Sequence, residues 1–371
     1  MAVDFDRDRM EAVLDAHERW WRGELDRPLV KVVLEKDLPR VRALCQANCH
    51  EVDRPAEAVV DAIDGELSRC TFLGDAFPMV DFAAFGPGVL AALCGARLDN
   101  ATGGVWFFPD KERPIEEISI RYDPENPWAR RIKDLYRAGL AKWEGKVLLG
   151  LPDLGGVLDV VATFRGSENL LLDLYDAPEE VLRLAQEAQE AWYAAFDDFC
   201  AVLSPQRGTT HWSGLASREP SYIPQCDFCY MIGNPMFREF VLPTLRRDVE
   251  RLAHSIYHLD GVGELRHLDD VLALEALEAV QWVPGDGQPG AGHWIDVYRR
   301  IAAAGKGMWI VGGPKDYLEA LDALHGTPYF ACSRPSRSGT SHKRFSTRAE
   351  ARSRTAEAAR PFFIGFPYIS K

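Results

Sequence analysis

The chain has 371 residues, 47% of them hydrophobic, and a formal net charge of -13. That length and apolar content can bury one large core, and the negative charge excludes nucleic acid as a general partner, because phosphate binding needs a basic face. Eight irregularly spaced cysteines exclude a disulfide framework, and the absence of an apolar run of roughly 18 residues excludes a membrane span.

In chain order, residues 1–26 read as an N-terminal helical extension, with Met10, Val13, Leu14, His17, Trp20 and Trp21 at helical spacing and the tryptophans as packing residues. A first strand is expected over Arg27–Leu34. Similar apolar runs follow, each ending in a polar residue or a glycine. They are Phe77 to Phe82 with Asp81, Lys146 to Asp153, Gly208 to Gly214 with His211 and Trp212, Ser255 to Gly261, Ala279 to Gly285, Met308 to Gly313, and Tyr329 to Ser333. Helical patterns over Pro178–Leu203, Pro235–His254 and Trp294–Ala304 lie between them, punctuated by Pro, Gly and capping residues. Eight strands alternating with helices predict parallel βαβ units, and so an α/β protein of the (β/α)8 TIM barrel type occupying residues 27–371 as a single domain. With no signal-peptide pattern at the N-terminus, a soluble, cytoplasmic protein is expected.

The barrel reading brings the polar strand endings together, since such barrels carry their sites at the C-terminal ends of the strands. His258 and Asp260 are two apart in an apolar strand and so project from one face. They are the leading catalytic pair, with Asp153 as a third catalytic candidate; a core histidine paired with an acid is the plainer reading. Asp81, His211, Trp212, Gln281 and Trp282 are expected to line the substrate pocket. Tyr222, Gln225 and Asp227, just after the His211 strand, fall where βα loops shape such a pocket. Cys226 and Cys229 form an isolated CxxC without a second pair, so packing is favoured over zinc or redox chemistry. The glycines at 285, 287 and 290 and at 312 and 313 lack a nucleotide-binding context and read as loop residues, although late glycines in a barrel can also cradle a phosphate. The basic stretch from Arg334 to Arg354 reads as a solvated loop, or as a docking point for an anionic cofactor or a partner protein.

Four segments resemble the uroporphyrinogen decarboxylase-like superfamily, which includes the cobamide-dependent methyltransferases. They are Leu151-Pro-Asp-Leu-Gly-Gly with Asp159 following, Asp173-Leu-Tyr-Asp-Ala-Pro-Glu-Glu-Val, the stretch from Tyr230 to Pro243, and the His258 strand. The resemblance runs from about Phe72 to Ala359 and implies the same barrel. The chain lacks the Arg-Gln-Ala-Gly-Arg segment that the decarboxylases use to hold a polycarboxylate, which argues against that reaction. The methyltransferase branch holds zinc with His-x-Cys and a later Cys. The matching positions here are His258, Asp260 and Cys332, so the resemblance implies a metal site with one thiolate replaced by a carboxylate. It further implies methyl transfer from a small methylated substrate to a corrinoid. No Asp-x-His-x-x-Gly corrinoid signature is present, so a separate corrinoid-binding protein would carry that cofactor. Residue chemistry alone supports a lyase, decarboxylase or glycosidase-like acid/base enzyme as an alternative. A third reading is a barrel that binds a ligand without catalysis.

Overall fold

A computed structural model of the chain describes residues 2–25, 27–35, 49–101, 104–311, 314–324 and 331–337. The chain forms an α/β fold. Its strands, in order, are β1 (Leu29–Glu35), β2 (Cys70–Gly74), β3 (Met79–Val80), β4 (Arg97–Asp99), β5 (Trp106–Phe108), β6 (Leu148–Leu149), β7 (Thr209–Thr210), β8 (Ala216–Ser217), β9 (Ser221–Tyr222), β10 (His254–Asp260), β11 (Ala279–Val283), β12 (Gly307–Val311) and β13 (Ala331–Arg337). The eight expected strands coincide with β1, β3, β6, β7, β10, β11, β12 and β13.

The main sheet has the order β2-β1-β13-β12-β11-β10-β9. Every pairing in it is parallel except that of β1 with β2. A second parallel pair joins β3 to β6, and a parallel bridge between Leu151 and His211 carries it on towards β7. Parallel strands need crossover connections, and helices supply them. The crossover Pro178–Leu203 begins at a proline that has no amide hydrogen to lose, followed by Glu179 and Glu180 where the helix dipole favours acids. Its buried stripe Val181, Leu184, Ala188, Trp192, Ala195 and Phe199 recurs at three- and four-residue steps and faces the core.

The helix expected over Pro235–His254 is present from Asn234 to Arg251, with a π-helical widening inside it. Asn234–Met236 leads into a π-helical turn at Phe237–Val241 and then an α-helix at Leu242–Arg251, while His254 already belongs to β10. Pro243 cannot donate to the preceding turn, which accounts for the widening there.

The N-terminal helix Arg7–Trp21 starts at Asp6, whose carboxylate accepts the Asp8 amide at 2.9 Å. It lies against the beginnings of the strands. Trp21 stacks on His254, the first residue of β10, at 4.8 Å between ring centres, and its indole donates to Ala216 O at 3.0 Å. Trp20 approaches Gly307, the first residue of β12. The polar ends of β10 and β11 are left uncovered by this helix. No helix among the described residues is long and apolar enough to cross a membrane. Gly312, Gly313 and the basic stretch beyond Arg337 lie outside the described residues.

Candidate metal and acid centre at the strand ends

β10 alternates Ile256, His258 and Asp260 on one face with Tyr257 and Leu259 on the other. Tyr257 and Leu259 are fully buried, whereas the side chains of His258 and Asp260 keep 13% and 39% of their exposure. His258 Nε2 lies 3.8 Å from Asp260 Oδ2. Its other nitrogen, Nδ1, contacts Gln281 Oε1 from the neighbouring strand, where the two residues are paired in register. An amide oxygen can only accept, so Nδ1 carries the proton and Nε2 presents its lone pair toward Asp260. Burial lowers the His258 pKa, against the pull of the Asp260 carboxylate and the Gln281 contact, and so favours the neutral, ligating ring.

The third member comes from a loop. Gln225 bridges to His258, whose amide donates to Pro224 O at 2.9 Å, and two residues later Asp227 opens a helical turn over Asp227–Met231. One ligand atom each from Asp227, His258 and Asp260 falls within 4.8 Å of the others. Desolvation and then the nearby carboxylates Asp159, Asp260 and Asp153 raise the Asp227 carboxyl above its ordinary range, and since the residue is exposed to solvent it is the repulsion between carboxylates that bears on the site. Two carboxylates and a neutral imidazole at this separation suit a divalent cation, which would relieve that repulsion.

Two glycines allow the loops to meet. Gly155, at φ +81°, sits where a Cβ would be 2.7 Å from Gly88 Cα, and a Cβ on Gly156 would collide with Gln225 O and Asp159 Oδ2. Asp153 lies between these loops. Its backbone oxygen accepts the amides of Gly88 and Val89 at 3.1 and 2.9 Å, and its carboxylate accepts the Gly155 amide at 2.9 Å. Burial, reinforced by Asp159 and Asp81, pushes the Asp153 carboxyl up to about 7. Asp81 directly follows β3 and accepts the Ala83 amide at 3.1 Å.

The remaining candidates separate. Trp212 meets the His258 ring edge-on at 5.0 Å, and its buried indole nitrogen has no hydrogen-bond partner. His211 lies deeper, with neither ring nitrogen hydrogen-bonded, and burial plus the Lys31 charge lowers its pKa to about 3. Lys31 itself donates to Gly214 O. The Tyr222 hydroxyl is committed within the chain, donating to Pro152 O and accepting from Leu154 N, both at 2.7 Å. Trp282 pairs in register with Leu259, on the opposite face from Gln281, and packs edge-on to Trp294 at 5.3 Å. Cys332 pairs through its backbone with Val30 and Ile310, and its reading as a metal ligand lies outside the described side chains. Cys226 and Cys229 are free, buried thiols in the turn that carries Asp227. Sequence reasoning assigned Asp227 to substrate and did not place it beside His258. The one local signal was its position two residues beyond Gln225, in a loop whose path depends on Gly156.

The fold and the site define an α/β protein with a polar centre at its strand ends. No protein-family model and no curated protein matches the chain. Among solved structures it is similar to a methyltransferase from Methanosarcina mazei, with a TM-score of 0.56 at 12% sequence identity, over 84% of this chain and 90% of that one. At that identity the likeness is one of fold.

Proposed function

We propose that the chain is a methyltransferase of the (β/α)8 barrel type that binds a divalent cation through Asp227, His258 and Asp260 and acts on a small methylated substrate. The observation that carries this reading is the approach of three ligand atoms to within 4.8 Å of one another at the strand ends. Eight strands in βα alternation and the fold likeness to a methyltransferase support it. When bound, the cation would act as a Lewis acid on the atom that carries the methyl group. Zinc is the metal that the family resemblance implies, and the two carboxylates also suit harder first-row ions. In this reading Gln281 holds the His258 tautomer, Trp212 walls the pocket beside His258, and Asp153, half-protonated near neutral pH, hands a proton to the demethylated leaving group. The methyl acceptor is a corrinoid carried by a separate protein. The exposed apolar side chains of Tyr230, Met231 and Val262, next to the Asp227 turn and just beyond Asp260, offer such a partner a surface to bury. The location is cytoplasmic.

The test is metal analysis combined with a methyl-transfer assay. Purified protein is expected to hold about one divalent ion per chain, held more weakly in Asp227→Ala and lost in His258→Ala. Reduced corrinoid should then show a methyl-cobalt absorbance change that depends on substrate and on His258. A wild-type protein that binds no divalent cation overturns this reading. One observation favours a second reading, a lyase or hydrolase: the Asp153 carboxyl, held at about 7, is itself suited to general acid/base work. Turnover of an unmethylated compound without corrinoid would select it.

A further inference from the structure

Asp159 stands outside every role assigned so far. It is the third residue of the helix Val157–Arg165, where an acid commonly reaches back to the start of its own helix, and Oδ2 does accept the Gly156 amide at 3.2 Å. It makes two further bonds, to a different loop. Oδ2 takes the amide of Asp227 at 3.1 Å and Oδ1 takes that of Phe228 at 2.7 Å. These successive amides open the turn whose first side chain is the Asp227 carboxylate.

Helix capping alone does not account for an acid here. Burial raises the Asp159 pKa against the pull of its three amides, and Asp153 and Asp227 respond to its charge. A neutral Gln would serve the helix start without adding to that repulsion. A carboxylate, with two oxygens that only accept, is the group that can take three amide hydrogens from two loops at once. Gly156 makes the reach short enough, since any side chain there would drive the Gln225 loop away. We infer that Asp159 is a positioning residue: it clamps the loop after β6 to the loop after β9 and so holds Asp227 at the distance from His258 and Asp260 that a cation needs. The inference rests on the cation site proposed above.

The full-length protein, stripped with chelator, is titrated with Zn2+ and Co2+ as wild type, Asp159→Asn, Asp159→Glu, Asp227→Ala and the Asp159→Asn/Asp227→Ala double variant. The asparagine must turn its NH2 group toward at least one of the three amides. The glutamate keeps an acid for the helix start but displaces the carboxyl by one methylene. Both are expected to weaken cation binding by about tenfold or more and to change the Co2+ d–d spectrum, at a temperature where each metal-free variant, though lower-melting than wild type, is still folded by circular dichroism. In the Asp227→Ala background, Asp159→Asn should weaken binding no further, because the residue it positions is gone. Equal affinity and spectrum in wild type and both single variants would overturn the positioning role and leave the cation site standing. So would an additive loss in the double variant, or failure of both single variants to fold, either of which marks Asp159 as a general structural residue. A wild-type chain that binds neither metal overturns the cation site itself and this role with it.

Discussion

Replacing Gln281 by leucine tests the orientation of His258 without touching a ligand. Gln281 is 2% exposed, so leucine fills a similar buried volume, but His258 Nδ1–H then loses its acceptor. An unpaired buried donor costs about 1–3 kcal/mol, and the ring can escape that cost by moving its proton to Nε2, the nitrogen that faces Asp260. A metal then has to reverse that tautomer before it binds. Loss of such a supporting hydrogen bond typically costs ~10–100-fold in metal affinity, or about 1.4–2.7 kcal/mol, so the two routes agree in size. Isothermal titration of the metal-free protein with Zn2+ near neutral pH should show that loss in Gln281→Leu. Gln281→Glu should behave differently. A carboxylate against Nδ1–H raises the His258 pKa, so protons compete with the cation over a higher pH range, and affinity should fall more steeply on acidification than in wild type. A Gln281→Leu affinity within about twofold of wild type would refute the assignment of the Nε2 lone pair to the site.

Asp153 gives a pH prediction for the metal-free protein. Its folded pKa of about 7 lies above the ~3.9 of an unfolded aspartate, so the folded state binds the extra proton. That contribution is complete below about pH 4 and is lost as pH rises through 7; Asp153→Asn should therefore flatten the fall in denaturant stability between those limits, and an unchanged slope would remove the perturbed acid. Gly156→Ala should destabilise the fold by about 2–4 kcal/mol in urea unfolding, because the added methyl meets a backbone carbonyl and a clamped carboxylate, neither of which can swing aside. Near-wild-type stability would mean that the two loops separate freely.

The strand endings were legible because burial on two faces leaves an apolar run, and the run must stop where polar side chains begin. The Pro178–Leu203 helix was legible from its opening proline and acids. His258 and Asp260 share a face by simple alternation. The strands β2, β4, β5, β8 and β9 were not legible, because none of them sits in an apolar run that ends in a polar residue as the two-residue strands β3 and β6 do. Asp227 was seen as a pocket residue and not as a neighbour of His258, because its place is fixed by the bond of its amide to Asp159 and by the approach of Gln225 to Gly156, both some seventy residues earlier. Trp282 shows the converse: its nearness to Gln281 in sequence suggested one pocket, and strand alternation sends it to the Trp294 side.

The docking of the first helix bears on how the protein comes to be made. Trp20 and Trp21 lie against Gly307, Ala216 and His254, and β1 pairs with β13, so these segments find their partners two to three hundred residues further along the chain. Until those partners are in place, an apolar helix and a strand edge wait uncovered. Such long-range closure slows folding and lengthens exposure to aggregation. Chaperones that cover unpaired apolar segments should therefore shorten that exposure.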